Sequence, residues 1–114
     1  MQKYYVIGQN RFTSKAAIKS HYRAILNKYN PNDKVDLEDS KQLYLLLRYH
    51  PHFEEKRGVG IKFFRVETAV QIDVVYAKNN CFWIHRHDGT KIDFSIHECY
   101  KYKNQIKKVE IEND

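Results

Sequence analysis

Cysteine, proline and glycine are all scarce in this chain: of 114 residues, two are Cys, two are Pro and four are Gly. Two cysteines, Cys81 and Cys99, do not make a secreted disulfide framework. There is no Cys-x-x-Cys and no His-Glu-x-x-His, so no zinc signature is present. The Gly-Lys-Ser/Thr ending of a phosphate loop and the Gly-x-Ser-x-Gly setting of a nucleophilic serine are also missing. No catalytic residue is assigned on this basis. No apolar run approaches the roughly 18 residues of a membrane span. The N-terminal MQKYYVIGQN lacks a long apolar signal core. The expectation is a reduced, cytoplasmic protein with no membrane association, no organelle import segment and no cofactor.

Acidic residues are the minority charge, with 14 Asp and Glu against 20 Lys and Arg, which gives +6 with His neutral. Such a balance favours polyanionic partners such as RNA, DNA or an anionic surface. The alternative is a protein that simply carries spare lysines. Hydrophobic residues at 42% and charged residues at 30% indicate a globular chain. Its length suits one domain, residues 1–114, with a charged tail over 101–114. Aromatics are plentiful, at nine Tyr, six Phe and one Trp.

The pattern predicts an α+β fold, a mostly antiparallel sheet packed on two or three helices. KYYVI at 3–7 reads as a first strand, broken by Gly8-Gln9-Asn10. Ser14 can cap a helix whose apolar stripe is Ile18, Tyr22, Ile25, Leu26 and Tyr29. Asn30-Pro31-Asn32-Asp33 stops it. Asp36 can cap a second helix over 37–49, ended by Pro51 and buried through Leu43, Leu46 and Leu47, with Tyr44 a further candidate for the buried side. HPHFEEKRGVG over 50–60 reads as irregular. Strands are expected at 61–66 and 70–76, with a turn at Lys78-Asn79-Asn80. Ser95-x-x-Glu98 reads as a capping box before a short helix. VEIE in the tail can add an edge strand.

CFWIHRH and TKIDFS flank Asp88-Gly89, a strong short hairpin cue. A two-residue loop would pair Arg86 with Lys91 and Trp83 with Phe94. It would place Phe82, Ile84, Arg86, Lys91, Asp93 and Ser95 on one face. Arg86 and Asp93 would then be diagonal neighbours, either locked as an ion pair or leaving Arg86 available to hold a phosphate.

Several separated pieces occur in order: Phe12-x-Ser14-Lys15, Leu46-Leu47-x-x-His50-Pro51, Lys56-x-Gly58-x-Gly60-Ile61, Cys81-Phe82, Arg86-x-Asp88-Gly89, Asp93-Phe94-Ser95 and Cys99. This ordered set, over 12–99, resembles the DCL-like family, named for "defective in chloroplasts and leaves". The resemblance implies nucleic-acid contexts: plastid proteins linked to ribosomal RNA maturation, the end of a plant RNA polymerase largest subunit, and bacterial or phage chains, some joined to HNH-type nuclease segments. It implies no catalytic activity of the domain itself. The stretch at 68–80 departs from the family pattern as an insert.

The candidate anion contacts are Lys15, Lys56, Arg86 and Lys91. Ser14, His50, Gly58, Gly60, Asp88, Asp93 and Ser95 are the supporting residues. Backbone N–H groups near Gly58 and Gly60 could cradle an anion beside Lys56 or Arg57, or the glycines could serve only a tight loop. The pairs His50/His52 and His85/His87 allow four zinc ligands only on paper, and no metal site is assigned. Tyr100, Lys101, Tyr102 and Lys103 would suit base stacking and phosphate contact. The expected function is a non-catalytic nucleic-acid-binding module, with RNA preferred over DNA by the family resemblance only. The runner-up is a protein-interaction module using the Phe82–Ile84 face or the Tyr-rich C-terminal segment. A binder of small phosphorylated ligands comes next, and a hydrolase last.

Overall fold

The computed structural model describes residues 2–70, 78–102 and 105–111. The expected strand at 70–76 and the stacking role of Lys103 fall largely outside them. Two three-stranded antiparallel sheets and three helices form the fold, an α+β arrangement. The first sheet has the order β2-β1-β6, with β1 at Lys3–Ile7, β2 at Asn10–Phe12 and β6 at Lys108–Glu110. The second has the order β3-β4-β5, with β3 at Ile61–Val70, β4 at Lys78–Arg86 and β5 at Lys91–Phe94.

Gly8-Gln9, read from sequence as a break, is the two-residue loop of the β1–β2 hairpin, with Ile7 opposite Asn10. The tail's VEIE contributes to β6, and Lys3 pairs with Glu110. Among the described residues no helix is long and apolar enough to cross a membrane.

Helix α1, Lys15–Leu26, starts where expected: the Ser14 hydroxyl accepts the Ala17 N–H at 3.1 Å. Its stripe of Ile18, Tyr22, Ile25 and Leu26 is buried. Helix α2, Leu37–Leu47, is capped by Asp36, whose carboxylate accepts the Asp39 N–H at 2.8 Å. It ends two residues before Tyr49 because the chain tightens: Tyr49 and His50 donate to Leu46 and Leu47, three residues back. The segment at 50–60 is less irregular than its composition suggests, since Phe53–Arg57 forms a short helix, α3.

Leu43, Leu46 and Leu47 of α2 join the α1 stripe and the inner face of the second sheet, with Phe64, Val66, Phe82, Ile84 and Phe94. Each fully buried aliphatic or aromatic side chain here contributes roughly 1.5–3 kcal/mol. The edge of β3 is covered: Asn32 and Val35 donate to the carbonyls of Val66 and Phe64, and Val66 donates to Asp33. Covering an edge in this way blocks pairing with another chain.

The hairpin differs from the sequence reading in register. Phe82 pairs with Phe94, Trp83 with Asp93, Ile84 with Ile92 and His85 with Lys91. The loop has three residues, His87-Asp88-Gly89, closed by the Gly89 N–H to Arg86 (3.1 Å) and the Arg86 N–H to Thr90 (2.9 Å). Gly89 takes φ of +84°, the left-handed position that such a loop reserves for glycine. One extra loop residue transfers Ile92 and Phe94 to the Phe82–Ile84 face and Lys91 and Asp93 to the other. The core decides the outcome, because only this register buries Phe94 against Phe82 and Phe64.

Two further expectations are corrected. Lys78-Asn79-Asn80 is not a turn but the start of β4, held in the ladder opposite Val70, Ala69 and Thr68. Ser95 does not cap a helix: the segment is a 3-10 turn, His97–Cys99, led by Ile96 without a side-chain cap. The Ser95 carbonyl instead accepts the Cys99 thiol at 3.6 Å.

Candidate nucleic-acid interface

The basic residues fall into two settings. The first is the junction of α3 with the β4–β5 hairpin. Arg86 Nη2 donates to the Glu55 carbonyl at 2.8 Å, Nε to the Lys56 carbonyl at 3.1 Å and Nη1 to Thr90 Oγ1 at 3.0 Å. A cation at the C-terminus of a helix satisfies carbonyls that have no partner within the helix. Thr90 in turn donates to Asp88 Oδ1, and that hydrogen bond holds the Asp88 carboxyl below its ordinary value. Gly58 takes φ of +55°, and a Cβ there would lie 2.8 Å from Arg86 Cδ. Gly60 accepts the His87 N–H through its carbonyl.

The motifs around Gly58 and around Arg86 therefore meet as a clamp. The expected Arg86–Asp93 pair does not form, since the true register puts these residues on opposite faces of the hairpin. Three of the five N–H donors of Arg86 are taken by protein acceptors.

The other sequence-predicted residues are also engaged. Lys56 Nζ donates to the Asp93 carbonyl on edge strand β5 at 2.7 Å. Lys91 Nζ lies 2.6 Å from Glu67, whose second oxygen bonds His85 at 2.7 Å. Burial opposes ionisation of Glu67, but the Lys91 and His85 hydrogen bonds outweigh it and hold the carboxyl below its ordinary value. Lys15 Nζ reaches the Lys101 carbonyl at 3.5 Å, beside the Ser14 cap. His50 is buried, and its Nδ1 accepts the His52 N–H at 3.0 Å. Burial, then the nearby Lys56 charge, lowers its pKa and favours the neutral ring.

Cys99 is fully buried, which pushes its thiol up to about 12, and burial also raises Cys81. Neither thiol is set up as a nucleophile. Among the described residues no group of three or more His, Cys, Asp or Glu side chains converges on one point. Tyr100, expected to be available for stacking, is 4% exposed and part of the core, whereas Tyr102 is open and lies under Lys101.

The second setting is a groove of about 990 Å³ between α2 and β3. Val35, Leu45, Ile61 and Phe64 give it an apolar floor, and Leu37, Tyr44 and Phe63 add apolar surface. Leu37 and Tyr44 are 71% and 41% exposed, so Tyr44, a candidate for the buried side of α2, faces the groove instead. Lys34, Lys41, Arg57 and Lys62 also line it. Lys41 pairs with Glu38 and Arg57 with Glu54. Lys34 and Lys62 have no carboxylate partner among the described residues. Lys34 Nζ lies 4.8 Å from the centre of the Phe63 ring, and the Arg65 guanidinium 4.9 Å from it. Phe63 also stacks on His85 with ring centres 4.6 Å apart. The groove thus continues onto the outer face of the second sheet, where Lys91 lies over Trp83.

Of the residues lining this groove only Arg57 was among the sequence-predicted contacts. The signal was present on α2: Leu37, Lys41 and Tyr44 recur at helical spacing on the side away from Leu43, Leu46 and Leu47. A second hollow, about 700 Å³, lies between α1 and β4–β5, where Lys19 and Arg23 share the lining with Asp93. With two Lys and Arg in its lining against four in the first, it is the poorer setting for an anion.

Fold and groove together define a small α+β module that presents cations around an apolar, aromatic cleft. Residues 23–100 match the family described as "Protein of unknown function (DUF3223)", and the chain belongs to this DCL-type family. It is 35% identical over 77 residues to the DNA-directed RNA polymerase IV subunit 1 of Arabidopsis thaliana, a match covering 68% of this chain and 5% of that protein. It is 33% identical over 75 residues to the "Protein DCL homolog, chloroplastic" of the same plant, covering 65% of this chain and 32% of that one. The chain thus spans a third or less of the length of these curated relatives. A solution NMR structure of an uncharacterized protein from Rhodospirillum rubrum aligns with a TM-score of 0.73 and 34% identity, over 82% of this chain and 85% of that one.

Proposed function

We propose that this chain is a non-catalytic nucleic-acid-binding module, serving RNA processing or a transcription-associated complex, that takes RNA in preference to DNA. The observation that carries the reading is the α2–β3 groove, where Lys34 and Lys62, without carboxylate partners among the described residues, stand beside exposed Tyr44 and the cation-flanked ring of Phe63. Cations that hold phosphates beside rings that stack bases are the shared chemistry of such modules. The likeness to a segment of an RNA polymerase subunit supports the same reading, as does the nucleic-acid setting of the family.

The protein-interaction alternative loses one of its two surfaces, since Phe82 and Ile84 are fully buried in the chain's own core, whereas Tyr102 in the C-terminal segment is exposed.

Binding of labelled RNA and DNA at two salt concentrations tests the proposal. Affinity should fall steeply with salt. Replacing Lys34 and Lys62 together by Ala should weaken RNA binding by about tenfold or more. It should also flatten the logarithmic salt dependence by about 1.4, at about 0.7 for each single-strand phosphate no longer neutralised. No RNA binding at low salt overturns the proposal, and equal affinity for DNA overturns the RNA preference.

A further inference from the structure

Resting on that reading, we infer that the α2–β3 groove takes an unpaired nucleotide of single-stranded RNA, with its base against Tyr44 and its phosphates on Lys34 and Lys62. A paired duplex would not enter.

The shape and chemistry of the groove argue for this. A base in a duplex hides both faces in the stack and offers a protein only its edges, its sugars and its phosphates. Such a ligand needs a basic surface and has no use for an apolar cleft. Here the cleft is concave and floored by Val35, Leu45 and Phe64. At about 990 Å³ it lies at the upper end of the roughly 300–1,000 Å³ common for small-ligand pockets. It is large enough for a nucleotide and far too small for a double helix. Its exposed apolar residues, Leu37 and Tyr44, are those an unstacked base would cover.

Charge complementarity selects the occupant. Four cations line the cleft, and two of them, Lys34 and Lys62, have no carboxylate partner among the described residues. The one carboxylate in the lining, Asp36, already accepts the Asp39 N–H as the α2 cap. An apolar peptide would cover the floor but would strand these cations. A nucleotide satisfies both parts of the groove. Tyr44 can present its ring because its edge-to-face contact with Phe53, at 6.1 Å, engages one side only.

The test uses the full chain with three labelled probes at low salt: a short single-stranded RNA, its perfect duplex, and a series of the same single strand with one base at a time removed to leave an abasic sugar. The expected result is tighter binding of the single strand than of the duplex by tenfold or more. One abasic position should lose about tenfold, the scale of one base–aromatic stack. Tyr44→Leu should reproduce that loss on the intact strand and leave duplex binding unchanged, and Tyr44→Phe should retain affinity. Circular dichroism establishes that each variant is folded. Equal affinity for duplex and single strand, or uniform tolerance of every abasic position, would overturn this inference while leaving nucleic-acid binding intact. Failure of every RNA probe to bind would overturn both readings, and a peptide ligand would then be sought for the groove.

Discussion

The α3–hairpin junction and the α2–β3 groove are built from the same kinds of residue, and they differ in what those residues touch. At the junction Arg86 sits on two carbonyls and a hydroxyl and Lys56 on the Asp93 carbonyl, all at hydrogen-bond distance. In the groove Lys34 and Lys62 touch rings or solvent and no carboxylate among the described residues. A basic residue in a family motif is therefore as ready to be structural as to be a ligand contact. Here Arg86 and Lys56 join α3 to the hairpin, and the groove holds lysines without carboxylate partners among the described residues. The junction has its own need for charge. A short helix ends in carbonyls with no helical partner, and a guanidinium fork meets two of them with good geometry.

The comparison breaks most visibly at Arg86. Arg86→Ala should cost about 2–3 kcal/mol in a denaturant titration, because hydrogen bonds to a charged group are worth roughly 1.5–3 kcal/mol and the carbonyls left behind recover part of the loss from water. Gly58→Ala should cost about 2 kcal/mol through its positive φ, with an added clash against the Arg86 side chain. In a double-mutant cycle the two should couple by about 1 kcal/mol, since removing Arg86 relieves the clash but not the strain. Loss of less than about 0.5 kcal/mol in Arg86→Ala would mean that the junction is not a clamp.

The groove should behave in the opposite way. Lys34→Ala with Lys62→Ala should leave unfolding within about 0.5 kcal/mol of the parent, as exposed substitutions usually do. The same pair should lose about 1.4 kcal/mol of RNA affinity, the equivalent of tenfold. A large stability loss in that pair, with unchanged RNA binding, would reverse the assignment of the two regions.

A smaller effect is expected with pH, away from both regions. Burial of Asp39 opposes its ionisation, but hydrogen bonds from Lys28 and Tyr29 outweigh that and hold the carboxyl below its ordinary value. A depressed carboxyl stabilises fully above the unfolded value and loses its contribution as pH falls through the folded one. His50 obeys the same sign, since burial depresses its pKa and the neutral ring must accept the His52 N–H. Stability should fall in two stages on acidification. The first begins below about pH 6.5 and disappears in His50→Asn, and the second lies below about pH 4 and flattens in Asp39→Asn. Two undiminished acid stages in both variants would remove these groups from the account.

The least change is expected for Lys56→Met, about 1 kcal/mol or less for one hydrogen bond to a partly wet carbonyl. Its more telling effect would be self-association at high concentration, since Lys56 guards the β5 edge. Light scattering would detect it.

Local signals read correctly at the starts of α1 and α2, though the Ser95 capping box did not. Ser14 and Asp36 are caps because their side chains reach donors three residues ahead. The stripe from Ile18 to Leu26 is buried because helical spacing lines those residues up, and α2 follows the same rule. The β4–β5 hairpin was legible as a hairpin, and the tail strand could be named too. The hairpin's loop length was not legible, since Asp-Gly serves both a two-residue loop and the last two residues of a three-residue one. The choice between them lies in the packing of Phe94 on Phe82 and Phe64, residues drawn from three different strands.

Charge, the scarcity of glycine and proline, the two capped helices and the ordered family motifs were thus determined by the sequence alone, because each depends on composition, on order along the chain or on neighbours within one turn. The register of β5, the commitment of Arg86 and Lys56 to carbonyls, and the meeting of α2 with β3 around Lys34 and Phe63 were decided only by tertiary structure. Those three outcomes depend on which surfaces the core brings within a few ångströms, and no local pattern encodes a distance between residues on separate elements.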